Sequence, residues 1–452
     1  MSLSADTIPA SPRGGRLLRL LGVGFGIAVG VGATIGAGIL TTPGEVAGYT
    51  RTAGLCLALW LIGGLYTLVC ASSVIELSTM LPRAGGWYVY AERAFGKRVG
   101  FVAGCCDWMN QAVGVAYVSV ALGQFIVELY PGLTSHETVA AFAALAFLAL
   151  LNLMGLKVGS RTQELTSLLK AAALVALVAG CFMVPSPAAP AHAAANLQAP
   201  RTGILLGSML AFQAVVVSYD AWYSPMYFAE EDQQPAANLP RSMLGTVLSC
   251  IAIFVLLNAG LIHALGMEQL QAAKAPAAQA ALAAFGSYGR QIIQVISIIT
   301  LVSCLNATLL TAPRVIFALA RDGLLPRALA GTNQGGTPAA ALLVGLAVSS
   351  VLILSGTLET LIAVDSFIVV AVYVFAFSSL LMLRRSEPGL PRPYKAWWYP
   401  WSSLCGLAVS VGFLAVAVVG DLRHSLFTII FVVVSYVSAR LIVRRSRAGA
   451  AP

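Results

Sequence analysis

Long apolar runs dominate this sequence of 452 residues, of which 58% are hydrophobic and 10% are charged. A run of about 20 apolar residues can cross the hydrocarbon core of a bilayer as a helix, whereas soluble proteins carry about 25% charged residues. Twelve such runs occur, at roughly 20–46, 53–80, 98–130, 137–154, 162–184, 202–229, 242–266, 288–320, 339–356, 360–383, 398–419 and 424–443. The sequence therefore predicts an all-α membrane protein with twelve transmembrane helices.

The distribution of basic residues predicts how these helices are oriented. When the N-terminus is placed inside and twelve spans are threaded, 21 of the 27 Lys and Arg residues fall on the cytoplasmic side, 5 fall outside, and Lys170 falls within a span. Basic residues collect on the cytoplasmic side of membrane proteins. We therefore expect a multi-pass protein with both termini cytoplasmic, and we interpret the net charge of +9 as a topology signal rather than a nucleic-acid surface.

Other chemistry finds little support in the residue pattern. The eight cysteines and four histidines have no metal-ligand spacing, and no GxxxxGK[ST] phosphate loop is present. We expect no metal, no cofactor, no ATP-driven mechanism and no enzymatic activity. The outer loop YPGLTSHETV, between the third and fourth runs, contains no cysteine. An accessory subunit joined by a disulfide is therefore not expected, and the chain is predicted to be a monomer or a weak homodimer.

Two of the runs are interrupted by residues that break helices. The first contains GVGATIGAGILTTPG, from Gly30 to Gly44, and the sixth contains Asp220 within SYDAWYSP, ending at Pro225. Broken backbone at membrane depth persists only where it is buried in protein or lines a cavity. Interruptions at corresponding positions in two halves indicate an inverted repeat with a binding site at the midplane. Runs one to five and six to ten would form a five-plus-five repeat, followed by two extra C-terminal helices.

Four motifs in chain order resemble the amino acid–polyamine–organocation transporter superfamily, especially bacterial relatives of the L-type amino acid transporters. They are GATIGAGILTTPG at 32–44, IELSTMLPRAGGWYVYAERAFG at 75–96, YDAWYSPMYFAEEDQQPAANLPRSM at 219–243, and NATLLTAPRVIFALARDGLLP at 306–326 with GGTP at 335–338. The resemblance implies amino acid transport in a bacterial cytoplasmic membrane. It divides the chain into a disordered tail at 1–15, a transport core at 16–385, two further helices at 386–446 and a tail at 447–452.

The two breaks predict where an amino acid binds. Free N–H groups at the start of the second half of helix 1 would attract its carboxylate, and carbonyls near Val217, together with those of helix 1, would accept from its ammonium. The glycines have a second interpretation, because Gly26/Gly30 and Gly32/Gly36 also fit small-residue helix packing. The predicted substrate-binding residues are Thr34, Ile35, Gly36, Ala37, Gly38, Ile39, Val217, Ser218, Tyr219 and Asp220.

Two ionisable residues, Asp220 and Lys170, are predicted to lie deep in the membrane. Asp220 has three open interpretations: it binds a cationic side chain, carries a proton, or caps the broken helix. Lys170 resembles the family's helix 5 lysine, whose ammonium occupies the place of a sodium ion, which implies sodium-independent coupling. The alternative for Lys170 is a side chain that extends to the membrane surface.

Aromatic and charged side chains near the breaks suggest gates. Val217 stands where relatives place an aromatic gate, so Tyr219 or Trp222 is predicted to take over gating. An ion pair between Arg83 and Glu230 or Glu231 would close the cytoplasmic side, with solvated loop charges as the alternative. We further expect Arg314, Arg321 and Asp322 to anchor the eighth span at the membrane surface, and Asp107, Asn110 and Gln111 to line an inner vestibule.

The function that best fits these features is secondary active transport of amino acids by alternating access, through proton symport or exchange. A transporter of cationic amino acids or polyamines with the same fold is the alternative, although polyamines lack the carboxylate that the helix 1 amides would bind. An ion channel would need a continuous polar pore. An intramembrane enzyme would need converging catalytic groups.

Overall fold

A computed structural model describes residues 17–130, 132, 136–186, 203–355, 358–420 and 422–448. Regular structure in these ranges is helical, apart from one isolated bridge between Leu21 and Asp232. The helices are α1 (Val23–Thr34), α2 (Thr42–Thr50), α3 (Ala53–Met80), α4 (Trp87–Phe95), α5 (Lys97–Leu129), α6 (Glu137–Leu153), α7 (Leu156–Met183), α8 (Ile204–Ser218), α9 (Pro235–Ala272), α10 (Pro276–Phe285), α11 (Gly289–Arg321), α12 (Ala339–Ser355), α13 (Leu358–Ser386), α14 (Trp401–Gly420) and α15 (Leu422–Ala448). The tail predicted at 1–15 lies outside the described residues.

The lengths and hydropathy of these helices fit a membrane protein. Among the described residues, seven helical stretches are long and apolar enough to cross a bilayer, and five shorter apolar helices of 10–17 residues accompany them. Large apolar side chains lie on the outer surface of the bundle, as on α15, where Phe427, Ile430 and Val434 are each more than half exposed. Such a surface is stable in lipid rather than in water.

The first apolar run is broken where its glycines predict a break. Helix α1 ends at Thr34, because Ile35 and Gly36 leave the helical conformation. A short 3₁₀ helix, Ala37–Leu40, follows, and α2 then begins with Pro43 in its first turn. Proline is tolerated there because the first N–H groups of a helix have no partner within the helix.

The sixth run is also broken. Helix α8 ends at Ser218, five residues of turn follow, and a 3₁₀ helix, Ser224–Phe228, continues the chain. Ala221 adopts a left-handed conformation with φ of 67°, which costs a residue with a Cβ about 1–2 kcal/mol. The backbone at this break is held by surrounding structure rather than by local preference.

Close helix packing brings the two breaks together. Helix α1 contacts α7, α9 and α11, and α2 contacts α8. A Cβ added at Gly26 would lie 2.2 Å from the Ser242 hydroxyl, and one at Gly30 would lie 2.2 Å from the Thr246 hydroxyl, both on α9. These two glycines therefore serve packing, the second of their predicted roles.

Candidate substrate-binding site

A cavity of about 780 Å³ lies between the two breaks. Helices α2, α3, α5, α8, α13 and α14 contribute to its wall. Within the described residues, the predicted site residues that line it are Thr34, Gly36, Gly38, Ile39, Val217, Ser218, Asp220 and Trp222, whereas Ile35 and Tyr219 are not among the lining residues. The backbone of Ala37 begins the short helix beside the cavity.

Gly36 differs from the packing glycines. A Cβ placed on Gly36 would have no atom within 4 Å, and Gly36 lines the cavity. By contrast, a Cβ on Gly32 would lie 1.9 Å from the Gln163 amide. The glycine-rich segment thus serves two purposes: its first part allows helices to approach, and its second part leaves open space beside the backbone.

The end of α1 is held by polar side chains from α7. The Lys170 ammonium is fully buried and donates to the carbonyls of Gly32 at 2.8 Å and Ile35 at 2.7 Å, while the Ser167 hydroxyl donates to the Ala28 carbonyl at 2.7 Å. A cation at a helix C-terminus is favourable because the last carbonyls have no partner within the helix and carry partial negative charge. Lys170 therefore faces inward and does not extend to the membrane surface.

This arrangement corrects one expectation about the ammonium site. The helix 1 carbonyls of Gly32 and Ile35 already accept from Lys170, and the Thr34 carbonyl accepts from the Gly36 N–H at 3.1 Å. The Val217 carbonyl likewise accepts from the Asp220 N–H at 3.1 Å. Several carbonyls that were expected to be free are thus engaged, because the broken ends satisfy much of their own hydrogen bonding.

The N–H groups at the start of the short helix remain available. The first two N–H groups of a 3₁₀ helix have no partner within it, and those of Ala37 and Gly38 donate to no backbone carbonyl of the described residues outside the helix. They lie beside Gly36, where the cavity reaches the backbone without an intervening side chain. This place is suited to a small anion such as a carboxylate.

Asp220 lies at the cavity wall with an aromatic partner. Its Oδ1 accepts from the Tyr373 hydroxyl at 2.5 Å, and its carboxylate also lies within hydrogen-bonding reach of the Ala221 N–H and the Tyr223 hydroxyl. The structure therefore brings together a cap on the broken helix and a carboxylate that faces the cavity. The two roles are compatible within one side chain.

An aromatic layer lies beneath Asp220. Trp222 stacks on Tyr373 with ring centroids 6.4 Å apart, and Tyr223 contacts Trp87 at 4.9 Å and Tyr373 at 5.7 Å. On the same side of the breaks, Phe25 of α1 packs edge-on against Phe228 at 4.9 Å. These rings close the cavity on the side where α1 and the 3₁₀ helix Ser224–Phe228 lie.

Tyr219 does not have the position expected of a gate. Its ring packs against Trp60 and Phe254, and its hydroxyl donates to the Trp60 carbonyl at 3.1 Å. The side chain is 1% exposed and points away from the cavity into the helix packing. Trp222 is the one of the two predicted gating residues that lines the cavity.

The prediction that Asp220 and Lys170 are the two ionisable residues deep in the membrane is wrong, because buried acids lie there as well. Asp365 of α13 lines the cavity, where its Oδ1 accepts from the Asn110 amide at 2.7 Å. Asp107 is 1% exposed and accepts from the Tyr227 hydroxyl at 2.6 Å. Both acids lie in apolar runs, so the argument that identified Asp220 would also have found them.

The expected inner vestibule is also corrected. Gln111 donates to Asp107 at 3.1 Å, and these two side chains are packed in the protein interior rather than against the main cavity. Asn110 faces the other way, toward Asp365. The three polar residues of α5 therefore divide between two environments.

The ion pairs at the far ends of α1 and α11 have different partners from those expected. Arg83 pairs with Asp322 at 2.9 Å rather than with Glu230 or Glu231. Glu230 pairs with Arg321 at 2.8 Å. Arg314 does not anchor the helix at the surface, because it is buried and forms a two-point contact with Glu231 at 2.5 and 2.9 Å.

Two broken helices pack side by side, and the cavity between them is closed on one side by aromatic rings. This arrangement defines a multi-pass membrane protein of the transporter class. The sequence pattern of the amino acid permease family matches residues 25–436. The chain therefore belongs to this family, which confirms the resemblance to the superfamily of amino acid, polyamine and organocation transporters.

Individual relatives agree with this assignment. The chain is 28% identical over 413 residues to the serine/threonine exchanger SteT of Bacillus subtilis, a match covering 90% of this chain and 92% of that protein. It is 27% identical to the human large neutral amino acids transporter small subunit 2, covering 86% of this chain and 75% of that protein. It is 27% identical to the human Asc-type amino acid transporter 1, a match covering 86% of this chain and 76% of that protein.

Proposed function

We propose that this protein is a secondary active transporter that moves amino acids across a bacterial cytoplasmic membrane. The observation that carries the proposal is the cavity of about 780 Å³ at the two breaks, which is lined both by open backbone at Gly36 and by Asp220. The three relatives named above, all of them amino acid transporters, support it. Transport by the chain would proceed through proton symport or amino acid exchange.

The proposed architecture has twelve spans. The seven long helical stretches and the five shorter apolar helices would form a five-plus-five inverted repeat followed by α14 and α15. With both termini cytoplasmic, α2 and α8 are the outer halves of the broken spans. The cavity then opens toward the outside, and the aromatic layer with its ion pairs closes the cytoplasmic side.

The transport cycle follows from this geometry. The substrate carboxylate binds the N–H groups of Ala37 and Gly38, and its α-ammonium binds near Ser218. Rotation of the broken halves would then occlude the substrate, separate Phe25 from Phe228 and open the inner side. The outer position of the cavity and the packed inner side support an outward-facing state as the starting point.

Lys170 carries the proposal of sodium independence. Its ammonium lies against two carbonyls at the end of α1, and a fixed cation there removes the need for a bound metal ion to satisfy them. Proton movement would then involve the buried carboxyl groups.

The protein is proposed to act as a monomer or weak homodimer without a disulfide-linked partner. Its substrate is a small molecule, and it needs no cofactor.

Counterflow in proteoliposomes tests the function. Vesicles loaded with an unlabelled amino acid and diluted into the labelled one should accumulate label transiently. The accumulation should be the same whether Na⁺ or choline is the external cation. Protein-free vesicles are the control, and acidic and neutral external pH separate symport from exchange. A strict, saturable requirement for Na⁺ would contradict the role given to Lys170, and no accumulation of any amino acid would contradict the function itself.

A further inference from the structure

The charged side chains that line the cavity all have the same sign. Glu45 of α2, Asp220 and Asp365 of α13 line it, whereas no Lys, Arg or His side chain among the described residues does so. None of these three carboxylates forms an ion pair within the described part of the chain. The nearby cation, Lys170, is directed at the carbonyls of α1 instead.

Neutral donors orient two of these acids without compensating their charge. The Asn110 amide donates to Asp365 at 2.7 Å, and the Tyr373 hydroxyl donates to Asp220 at 2.5 Å. Such hydrogen bonds fix the direction of a carboxyl group. Both acids are therefore held in place at the cavity wall, and neither has a cationic partner among the described residues.

A second, independent feature of the same cavity indicates that a ligand belongs there. The Thr34 side chain is 7% exposed and lines the cavity. Its hydroxyl lies beside the weakly polar Cys250 thiol and makes no well-formed hydrogen bond to any described residue. Buried polar groups without partners are unfavourable, so this hydroxyl is available to a polar substrate.

We propose that the substrate is an amino acid with a cationic side chain, such as lysine or ornithine, whose second positive charge binds Asp365 and Asp220. This inference rests on the proposed amino acid transport and specifies its substrate class. An ionised group inside a membrane protein normally requires a partner of opposite charge. A zwitterion with a neutral side chain has no net charge and leaves the carboxylates uncompensated, whereas a dibasic amino acid adds one positive charge.

Two pairs of compounds separate the contributions of the charges. Norleucine matches lysine but lacks the side-chain ammonium, and putrescine matches ornithine but lacks the carboxylate. Competition against labelled lysine on the purified full-length protein should show lysine and ornithine binding at least about tenfold more tightly than norleucine and putrescine, because truncating one member of a buried charge pair reduces affinity strongly.

Charge-neutralising variants test the named residues. Asp365→Asn should weaken lysine binding roughly tenfold or more while changing norleucine binding much less, which would remove the preference. Asp220→Asn should act in the same direction. Glu268→Gln is the matched control, because Glu268 is exposed and outside the cavity lining, and it should leave both affinities unchanged. Thermal melting of each variant verifies that it is folded.

The outcomes distinguish this inference from the function on which it rests. Equal or tighter binding of norleucine than lysine would overturn the cationic substrate but leave amino acid transport standing. Loss of lysine and norleucine binding in equal measure in a folded Asp365→Asn variant would also overturn it. If no amino acid binds or is transported by the wild-type protein, the proposed function fails together with the inference.

Discussion

Single polar side chains decide how the broken backbone of this protein is stabilised. The Lys170 ammonium donates hydrogen bonds to two carbonyls at the end of α1, and the Tyr373 hydroxyl donates one to the carboxylate of Asp220. The Lys170 contacts replace backbone interactions that a continuous helix would have provided. The breaks persist because side chains from other helices satisfy the groups that they expose.

Replacing Lys170 by methionine should therefore damage the site. The change keeps most of the side-chain volume but leaves the buried carbonyls of Gly32 and Ile35 without their donor, at a cost of about 1–3 kcal/mol per unsatisfied group. We expect a lower melting temperature and loss of counterflow. Lys157→Met, on the exposed start of the same helix, is the control and should behave like wild type. Normal transport by Lys170→Met would show that the tether is dispensable.

The ionisable residues show what sequence can and cannot predict. Asp220 and Lys170 were identified because charged residues are rare in apolar runs, and Asp365 was identifiable in the same way. The direction of the Tyr219 ring was not predictable, because it depends on how α8 rotates against Trp60 and Phe254 before the chain turns. Side-chain placement at a break is set by tertiary packing.

Helix α1 contains two kinds of glycine, which differ in how closely a neighbouring helix approaches them. Gly30 faces Thr246 of α9, whereas Gly24, near the start of the helix, would have no atom within 4 Å of an added Cβ. The position of the break was predictable from glycine and proline content. Which glycine packs and which faces open space was not, because that depends on the neighbouring helices.

A single methyl group distinguishes these roles. Gly30→Ala places a Cβ 2.2 Å from the Thr246 hydroxyl, so α1 and α9 must separate; overpacking of this kind typically costs about 1–3 kcal/mol. Gly24→Ala should be neutral or slightly stabilising, because alanine is the better helix former. Thermal melting in detergent compares the two. Equal melting temperatures would mean that the close approach of α1 and α9 contributes nothing.

The inner side of the molecule is closed by residues that are far apart in sequence. Glu231 pairs with Arg314, and Glu76 pairs with Arg384, which is 308 residues away. The sequence predicted charges on this side, but the pairing that it suggested, Arg83 with Glu230 or Glu231, differs from the observed one, since ion pairs form only when distant helices assemble. Closure is therefore a property of the assembled bundle rather than of any one helix.

Breaking one such pair should affect the whole fold. Glu231→Gln leaves the buried Arg314 charge uncompensated, which typically costs about 3–5 kcal/mol, so we expect a large drop in melting temperature. Glu387→Gln breaks the pair between Glu387 and Arg93, whose side chains are 29% and 51% exposed, respectively. An exposed pair contributes about 1 kcal/mol or less. Similar melting curves for the two variants would contradict the structural importance of the buried pair.

The central claim is that an amino acid occupies the cavity between the two breaks. Equilibrium binding of the labelled amino acid that gives the largest counterflow signal tests this claim on purified wild-type protein, on Gly36→Leu, and on Gly412→Leu. Neither glycine has an atom within 4 Å of an added Cβ, but only Gly36 lines the cavity. We predict that Gly36→Leu loses binding while remaining folded and that Gly412→Leu binds like wild type; wild-type affinity in Gly36→Leu would contradict the account.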